Sequence, residues 1–175
     1  LDIGCGEGWL TRALSVMGVQ AMGVDVVPEL VEYARRHGNE EYLVAPYGLI
    51  AGGVLSPRRF DLIVINFALL DRVETEALIG SLPNLLKVNG SVVIQTLHPL
   101  SRPAGSPYQD GWVPGSWKGM KRDFVKPYDW YYRTFSGWMR LFEKAGLRLL
   151  SMREPMNTQR ELPYSVIFIL GKSRR

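Results

Sequence analysis

Glycines stand at positions 4, 6 and 8 of the string Leu1-Asp2-Ile3-Gly4-Cys5-Gly6-Glu7-Gly8-Trp9, and a carboxylate, Asp25, lies 21 positions beyond the first of them. Glycines at this spacing let a backbone turn sharply from strand to helix and let a ligand rest against the main chain. The helix that follows points its unpaired N–H groups and the positive end of its dipole at that ligand. An acid at the end of the next strand can accept hydrogen bonds from both hydroxyls of a ribose. The chemistry on offer is capture of a nucleoside-bearing cofactor. A tight turn with no ligand is the plainer reading of the glycines taken alone.

Spacing narrows the cofactor. A dinucleotide fingerprint runs G-x-G-x-x-G, whereas here the third glycine comes one residue early and Trp9 fills the remaining slot. Asp2, just before the loop, would repel a pyrophosphate but suits the ammonium of a methionine moiety. The loop therefore fits S-adenosylmethionine better than NAD.

Other reactive side chains are few. His98 follows the fifth expected strand, at the edge where open α/β sheets bind ligands. It could deprotonate a hydroxyl or amine acceptor, or it could cap the strand end and orient the following loop through Pro99. His37 ends a surface helix as a partner for the C-terminal dipole. Two distant histidines and the single cysteine, Cys5, leave no transition-metal site expected and no intrachain disulfide.

The elements that must position these groups alternate. A strand ends at Leu1–Ile3, a helix spans Trp9–Met17 and closes at Gly18, and a short strand spans Ala21–Val26. Pro28 opens a helix that runs to His37. Strands are then expected at Tyr42–Val44, Phe60–Asn66 and Ser91–Thr96, with a helix at Glu74–Leu86 and a turn at Asn89-Gly90. Repeated β-then-α order predicts a parallel sheet with right-handed crossovers. After a helix at Ser136–Ala145, strands at Arg148–Arg153 and Val166–Leu170 have no crossover helix between them, so they should pair antiparallel. The fold class is thus α/β, a doubly wound, Rossmann-like sheet.

Residues 98–135 interrupt this order as a Gly-, Pro- and aromatic-rich stretch, expected to be a lid inserted in a single domain spanning residues 1–175. Nine of the chain's 19 aromatic residues fall there, with six Lys and Arg against three Asp. Such a lid suggests a small-molecule substrate that is flat or apolar, aromatic or anionic. Anchoring a long loop is the simpler use for the same rings.

Composition sets the outer bounds. The chain has 46% hydrophobic and 22% charged residues, average for a globular domain. Its net charge of +4 and pI near 9.3 are mildly basic, with no Lys/Arg stripe for nucleic acid. No apolar run reaches the roughly 20 residues that span a bilayer, and the lone cysteine fits a cytoplasmic setting. The chain begins at Leu1 inside a strand, so the natural protein is expected to extend upstream.

The glycine string resembles motif I of the class I S-adenosylmethionine-dependent methyltransferases, (D/E)-x-G-x-G-x-G. Gly23-Val24-Asp25 is similar to the family's second motif, Phe60-Asp61-Leu62-Ile63-Val64 to its fourth, and the antiparallel last strand to its seventh strand. The resemblance implies a seven-stranded, mostly parallel sheet and an enzyme that methylates a small organic molecule, with O-methylation the first expectation. It implies that Gly4, Gly6 and Gly8 border the methionine part and that Asp25 holds the ribose, with Asp2, Cys5 and Val26 completing the loop side. Residues near Ala45 and Tyr47 would edge the adenine, and Asn66 and Phe67 would face the sulfonium and substrate. Many relatives carry an acid after the third strand; here Val44-Ala45-Pro46-Tyr47-Gly48 has none, and Pro46 lacks an N–H. The N–H of Tyr47 is then the expected adenine contact. Asn66-Phe67-Ala68-Leu69 also lacks the N-P-P-Y or D-P-P-Y string of some nucleobase-amine methyltransferases. A nicotinamide-dependent oxidoreductase and a non-catalytic cofactor-binding protein are the competing readings.

Overall fold

In the computed structural model of this protein the described residues are 1–101, 105, 107–115, 129–157 and 162–173. β1 (Asp2–Ile3) leads through the glycine loop into α1 (Trp9–Val16). Gly18, at φ 83°, ends that helix by donating its N–H to Ser15. β2 (Met22–Asp25) follows, then α2 (Pro28–His37), which carries Pro28 in its first turn and Arg35, Arg36 and His37 in its last, matching the helix dipole. β3 (Glu41–Val44) leads into α3 (Tyr47–Ala51), a short helix that the sequence pattern did not announce.

β4 (Phe60–Asn66) and α4 (Val73–Leu85) come next, followed by β5 (Leu86–Leu97), which starts five residues before Ser91. Leu86 pairs with Phe60 and Ser91 with Leu62, so residues 87–90 bulge out of the ladder where a free turn is expected. The segment read as a lid holds β6 (Gly111–Val113) and β7 (Trp130–Tyr132), which pair as an antiparallel hairpin. The expected lid residues 102–104, 106 and 116–128 lie outside the described residues. α5 (Phe135–Lys144) is capped by Thr134, whose Oγ1 accepts the N–H of Gly137 at 3.0 Å. β8 (Leu147–Arg153), a small β9 (Met156–Asn157) and β10 (Leu162–Pro163) hairpin, and β11 (Ser165–Lys172) complete the chain.

The seven main strands lie in the order β3-β2-β1-β4-β5-β11-β8. β1 to β5 run parallel, and β11 lies antiparallel between β5 and β8. This is the doubly wound, mostly parallel sheet with an antiparallel last strand. Its core joins Ile3, Val24, Ile63, Ile65 and Ile94 of the sheet to Leu78, Ile79 and Leu82 of α4 and to Trp138 and Phe142 of α5. Strand order reverses between β1 and β4, so their carboxyl ends diverge and leave a crevice, the place where open α/β sheets bind ligands.

Candidate cofactor and substrate site

The glycine loop lines one wall of that crevice. Gly4, Gly6 and Gly8 all have positive φ, at 76°, 52° and 76°. The N–H groups of Gly4 and Cys5 donate to the Val24 carbonyl at 2.7 and 3.1 Å, which ties the loop to β2. A β-carbon on Gly4 would collide with Ala68, and one on Gly8 would lie 2.7 Å from the Tyr42 hydroxyl and 2.9 Å from Ala34. A β-carbon on Gly6 would meet nothing within 4 Å. Two glycines are therefore required by packing, and the third borders open space.

Asp25 is buried at the end of β2, and its carboxylate clasps that loop. One oxygen accepts the N–H of Gly6 at 2.8 Å, the other the N–H of Val27 at 2.9 Å. Each oxygen keeps a lone pair for a further donor. Val26, beside it, is 55% exposed and offers an apolar edge.

Asp2 and Cys5 sit beneath the loop. Asp2 is buried and accepts a hydrogen bond from the Thr11 hydroxyl at 2.7 Å, which ties α1 to β1. Burial raises its carboxyl above the ordinary Asp range. Cys5 packs with Val31, Ala34 and Tyr42. Burial, and then the nearby Asp2 and Asp25, push its thiol up to about 12, so it serves as a neutral packing group rather than a nucleophile.

Residues after β3, beyond β2, and after β4, on the other side of β1, complete the border. Ala45 is buried, and its N–H donates to the Asp25 carbonyl at 2.9 Å. Tyr47 opens α3, so its N–H has no partner within the helix. Its hydroxyl reaches across to donate to the Ala68 carbonyl at 2.9 Å, and burial raises its pKa. Glu74 of α4 accepts the next N–H, that of Gly48, at 2.9 Å. Asn66, at the tip of β4, has a buried Oδ1 with no hydrogen-bond partner, one of two such side-chain atoms among the described residues. An orphaned acceptor of this kind favours a ligand that brings a donor.

Phe67 adopts φ 52°, a left-handed conformation that costs a non-glycine residue about 1–2 kcal/mol. Its N–H donates to the Gln95 carbonyl at 2.8 Å, which helps to hold the strain. The ring thereby turns to lie 6.2 Å from that of Tyr164. Beyond the two rings opens a cavity of about 280 Å³, bordered by Phe67, Leu70, Trp130, Tyr131, Trp138 and Tyr164, with Arg133 also on its lining. A hollow of about 480 Å³ beside Gln20, Arg58 and Lys87 lies at the opposite, amino ends of the strands, and none of the three loop glycines borders it.

His98 directly follows β5, is buried, and does not line the 280 Å³ cavity. Nε2 lies 2.8 Å from a Glu154 carboxylate oxygen, and Nδ1 accepts the N–H of Leu100 at 3.1 Å. With Nδ1 accepting, Nε2 carries the proton, so both ring nitrogens are engaged. Its ring also packs edge-on against Phe135 at 5.2 Å.

Gly4, Gly6, Gly8, Asp25, Val26, Ala45, Tyr47, Asn66 and Phe67 thus lie at or just past the carboxyl ends of β1 to β4, whereas Asp2 and Cys5 are buried beneath the loop, Asp2 also bordering the hollow at the amino ends, and His98 lies after β5. Sequence reasoning missed Ala68, Tyr164 and the Arg133 side chain as parts of this end. The position of Ala68, two residues past β4, and the place of Arg133 in the basic, aromatic stretch 98–135 were the available signals.

A family model described as a methyltransferase domain matches residues 1–90, just over half the chain. The chain belongs to the class I S-adenosylmethionine-dependent methyltransferases. The cofactor of this methyltransferase is S-adenosylmethionine. The open face at Gly6, the spare lone pairs of Asp25 and the orphaned Asn66 oxygen fit a nucleoside that ends in an ammonium group. The chain is 30% identical over 157 residues to a ubiquinone biosynthesis O-methyltransferase of Xylella fastidiosa, covering 85% of this chain and 60% of that protein. The corresponding protein of Xanthomonas euvesicatoria pv. vesicatoria is 30% identical over 159 residues, covering 85% of this chain and 62% of that protein. The chain therefore spans about 60% of the length of the curated relatives it matches. Among solved structures, the CcbJ methyltransferase of Streptomyces caelestis superposes with a TM-score of 0.76 at 14% identity, over 99% of this chain and 82% of that one. A Mesorhizobium loti S-adenosylmethionine-dependent methyltransferase does so with 0.72 at 20% identity, over 97% and 88%. Likeness at these identities concerns the fold. Among the described residues no helix is long and apolar enough to cross a membrane.

Proposed function

We propose that this methyltransferase methylates a small organic acceptor, at an oxygen atom, in the cavity beyond Phe67. One observation carries the reading: the cofactor crevice and the apolar cavity meet at adjacent residues, Asn66 on one side and Phe67 on the other. When bound, S-adenosylmethionine supplies an electrophilic methyl group on a sulfonium, open to in-line displacement.

The chain's own residues then have positioning roles. Gly4, Gly6 and Gly8 shape a wall that the methionine part can approach, and Asp25 accepts the ribose hydroxyls while it keeps the loop in place. Val26, Ala45 and the N–H of Tyr47 edge the adenine. Asn66 Oδ1 accepts a hydrogen bond from the ammonium, the part expected of Asp2, which instead is buried beneath the loop and holds Thr11, and Phe67 screens the reacting atoms from water. Holding acceptor and donor in line can supply much of the rate enhancement. A base is required only if the acceptor must lose a proton in the transition state. His98 could take that proton only at Nδ1, if it released the Leu100 N–H; its present bonds support a second role, holding the start of the segment after β5. The two relatives at 30% identity are O-methyltransferases, which favours oxygen as the acceptor.

Isothermal titration with S-adenosylmethionine and with NAD, followed by transfer of a labelled methyl group to a panel of phenols, acids and amines, tests this reading. Binding of S-adenosylmethionine alone and label on oxygen are expected. NAD binding would return the chain to the oxidoreductase reading, and cofactor binding without transfer to the non-catalytic one.

A further inference from the structure

The cavity beyond Phe67 has one charged group on its lining. Among the described residues that border it there is no carboxylate and a single cation, Arg133. Its side chain is 2% exposed. Nη1 donates to the Asp71 carbonyl at 3.4 Å, long for such a bond, and Nη2 to the Arg72 carbonyl at 3.2 Å, at the upper end of the usual range. The nearest carboxylate, that of Glu76, lies 3.9 Å away and already binds Arg72 at 3.3 Å. The guanidinium carbon lies over the rings of Tyr131 and Trp138, 4.7 and 5.1 Å from their centroids.

These contacts fix the group without neutralising it. A guanidinium has five N–H donors, and this one spends two on weak bonds to uncharged carbonyls. It also sits at the start of α4, where the positive end of the helix dipole disfavours a cation. A buried charge is costly unless it is paired; burial is the main cause that lowers the Arg133 pKa, and Glu76, Tyr131, Asp110 and Asp71 offset it only in part. If Arg133 served only to tie β7 to α4, a neutral side chain could make the same two bonds without the electrostatic cost.

We propose that Arg133 is a specificity-determining residue that selects planar aromatic acceptors bearing a carboxylate. The acceptor's ring lies among Phe67, Trp130 and Tyr164, and its carboxylate engages the free donors of the guanidinium in the paired geometry that arginine favours. This rests on the cavity being the acceptor site, as proposed above. It adds the charge that the acceptor must carry and the residue that reads it.

The test is equilibrium binding, which needs no turnover. Hydroxybenzoates and naphthoates are titrated against the corresponding amides, which match them in shape and lack the charge, at pH 7.5 with S-adenosylhomocysteine present. In the unaltered protein the acid of at least one pair should bind about tenfold or more tighter than its amide, as expected for a charge-assisted bond. Arg133→Gln should erase that preference and leave amide affinity within about twofold, and Arg133→Lys should keep part of it. Equal binding of acid and amide in every pair overturns the proposal, and so does a variant that weakens both alike. The comparison in the unaltered protein stands even if Arg133→Gln does not fold. Methyl transfer to neutral phenols alone would keep the methyltransferase reading and defeat this one. Arg133-dependent binding of an acid with no transfer to any acceptor would do the reverse.

Discussion

Replacing Gly6 by valine places a branched side chain at the one glycine of the loop whose surroundings are open. The φ of 52° costs a non-glycine residue about 1–2 kcal/mol. For a chain of this length that lowers the melting temperature by about 2–8 °C. Gly4→Ala bears the same backbone strain and also drives its methyl group into Ala68, and Gly8→Ala drives one against Tyr42 and Ala34. Overpacking adds about 1–3 kcal/mol, so each of these two should lose about 2–5 kcal/mol in all. Binding should rank in the opposite sense. The valine of Gly6→Val occupies space that the cofactor needs, and accommodating it should weaken S-adenosylhomocysteine by about 10- to 100-fold or more. Differential scanning calorimetry and isothermal titration on the three variants measure both quantities. A folded Gly6→Val that binds like the unaltered protein would refute the assignment of Gly6 to the cofactor wall. If Gly6→Val lost as much stability as Gly4→Ala, the argument from open space would fail instead.

Asp25→Ala should weaken S-adenosylmethionine by about 1.5–3 kcal/mol, the range for charge-assisted hydrogen bonds; unchanged affinity in a folded variant, measured by calorimetry, would remove Asp25 from the ribose. His98→Ala should lower stability by about 1–3 kcal/mol, because Glu154 and the Leu100 N–H lose a buried partner. A fall in turnover with unchanged melting temperature and cofactor affinity would assign His98 the base role instead. Asp2 supplies a pH signature: its folded pKa is raised by burial, so just above the ordinary Asp value the folded state holds a proton that the unfolded state has released. Stability should therefore fall as pH rises through that window, and Asp2→Asn should flatten the dependence in thermal scans across the acid range; an unchanged slope would count against Asp2 as its source.

Much of this protein was legible from local pattern. The alternation of apolar strands with Gly-closed and Pro-opened helices predicts the parallel sheet, because those signals act within a few residues of the chain. The glycine loop and Asp25 could be recognised together for a related reason: both lie at the ends of adjacent strands, and their spacing in the chain reflects one strand–helix–strand unit. Other features arise only when the sheet is assembled. The orphaned oxygen of Asn66, the left-handed Phe67 and the link from Tyr47 to Ala68 depend on which strands lie side by side. His98 looked available as a base at the sheet edge, but its partner Glu154 is 56 positions away and engages the ring only after β8 and β11 have joined the sheet. Arg133 read as one more charge in a basic, aromatic loop. Its burial against Tyr131 and Trp138, beside the carbonyls of residues 71 and 72, was decided by the packing of the β6–β7 hairpin and α5 over the carboxyl ends of the strands. Periodicity specifies which face of an element is apolar, whereas the neighbours and solvation of a single polar group are set by tertiary contacts between segments distant in the chain.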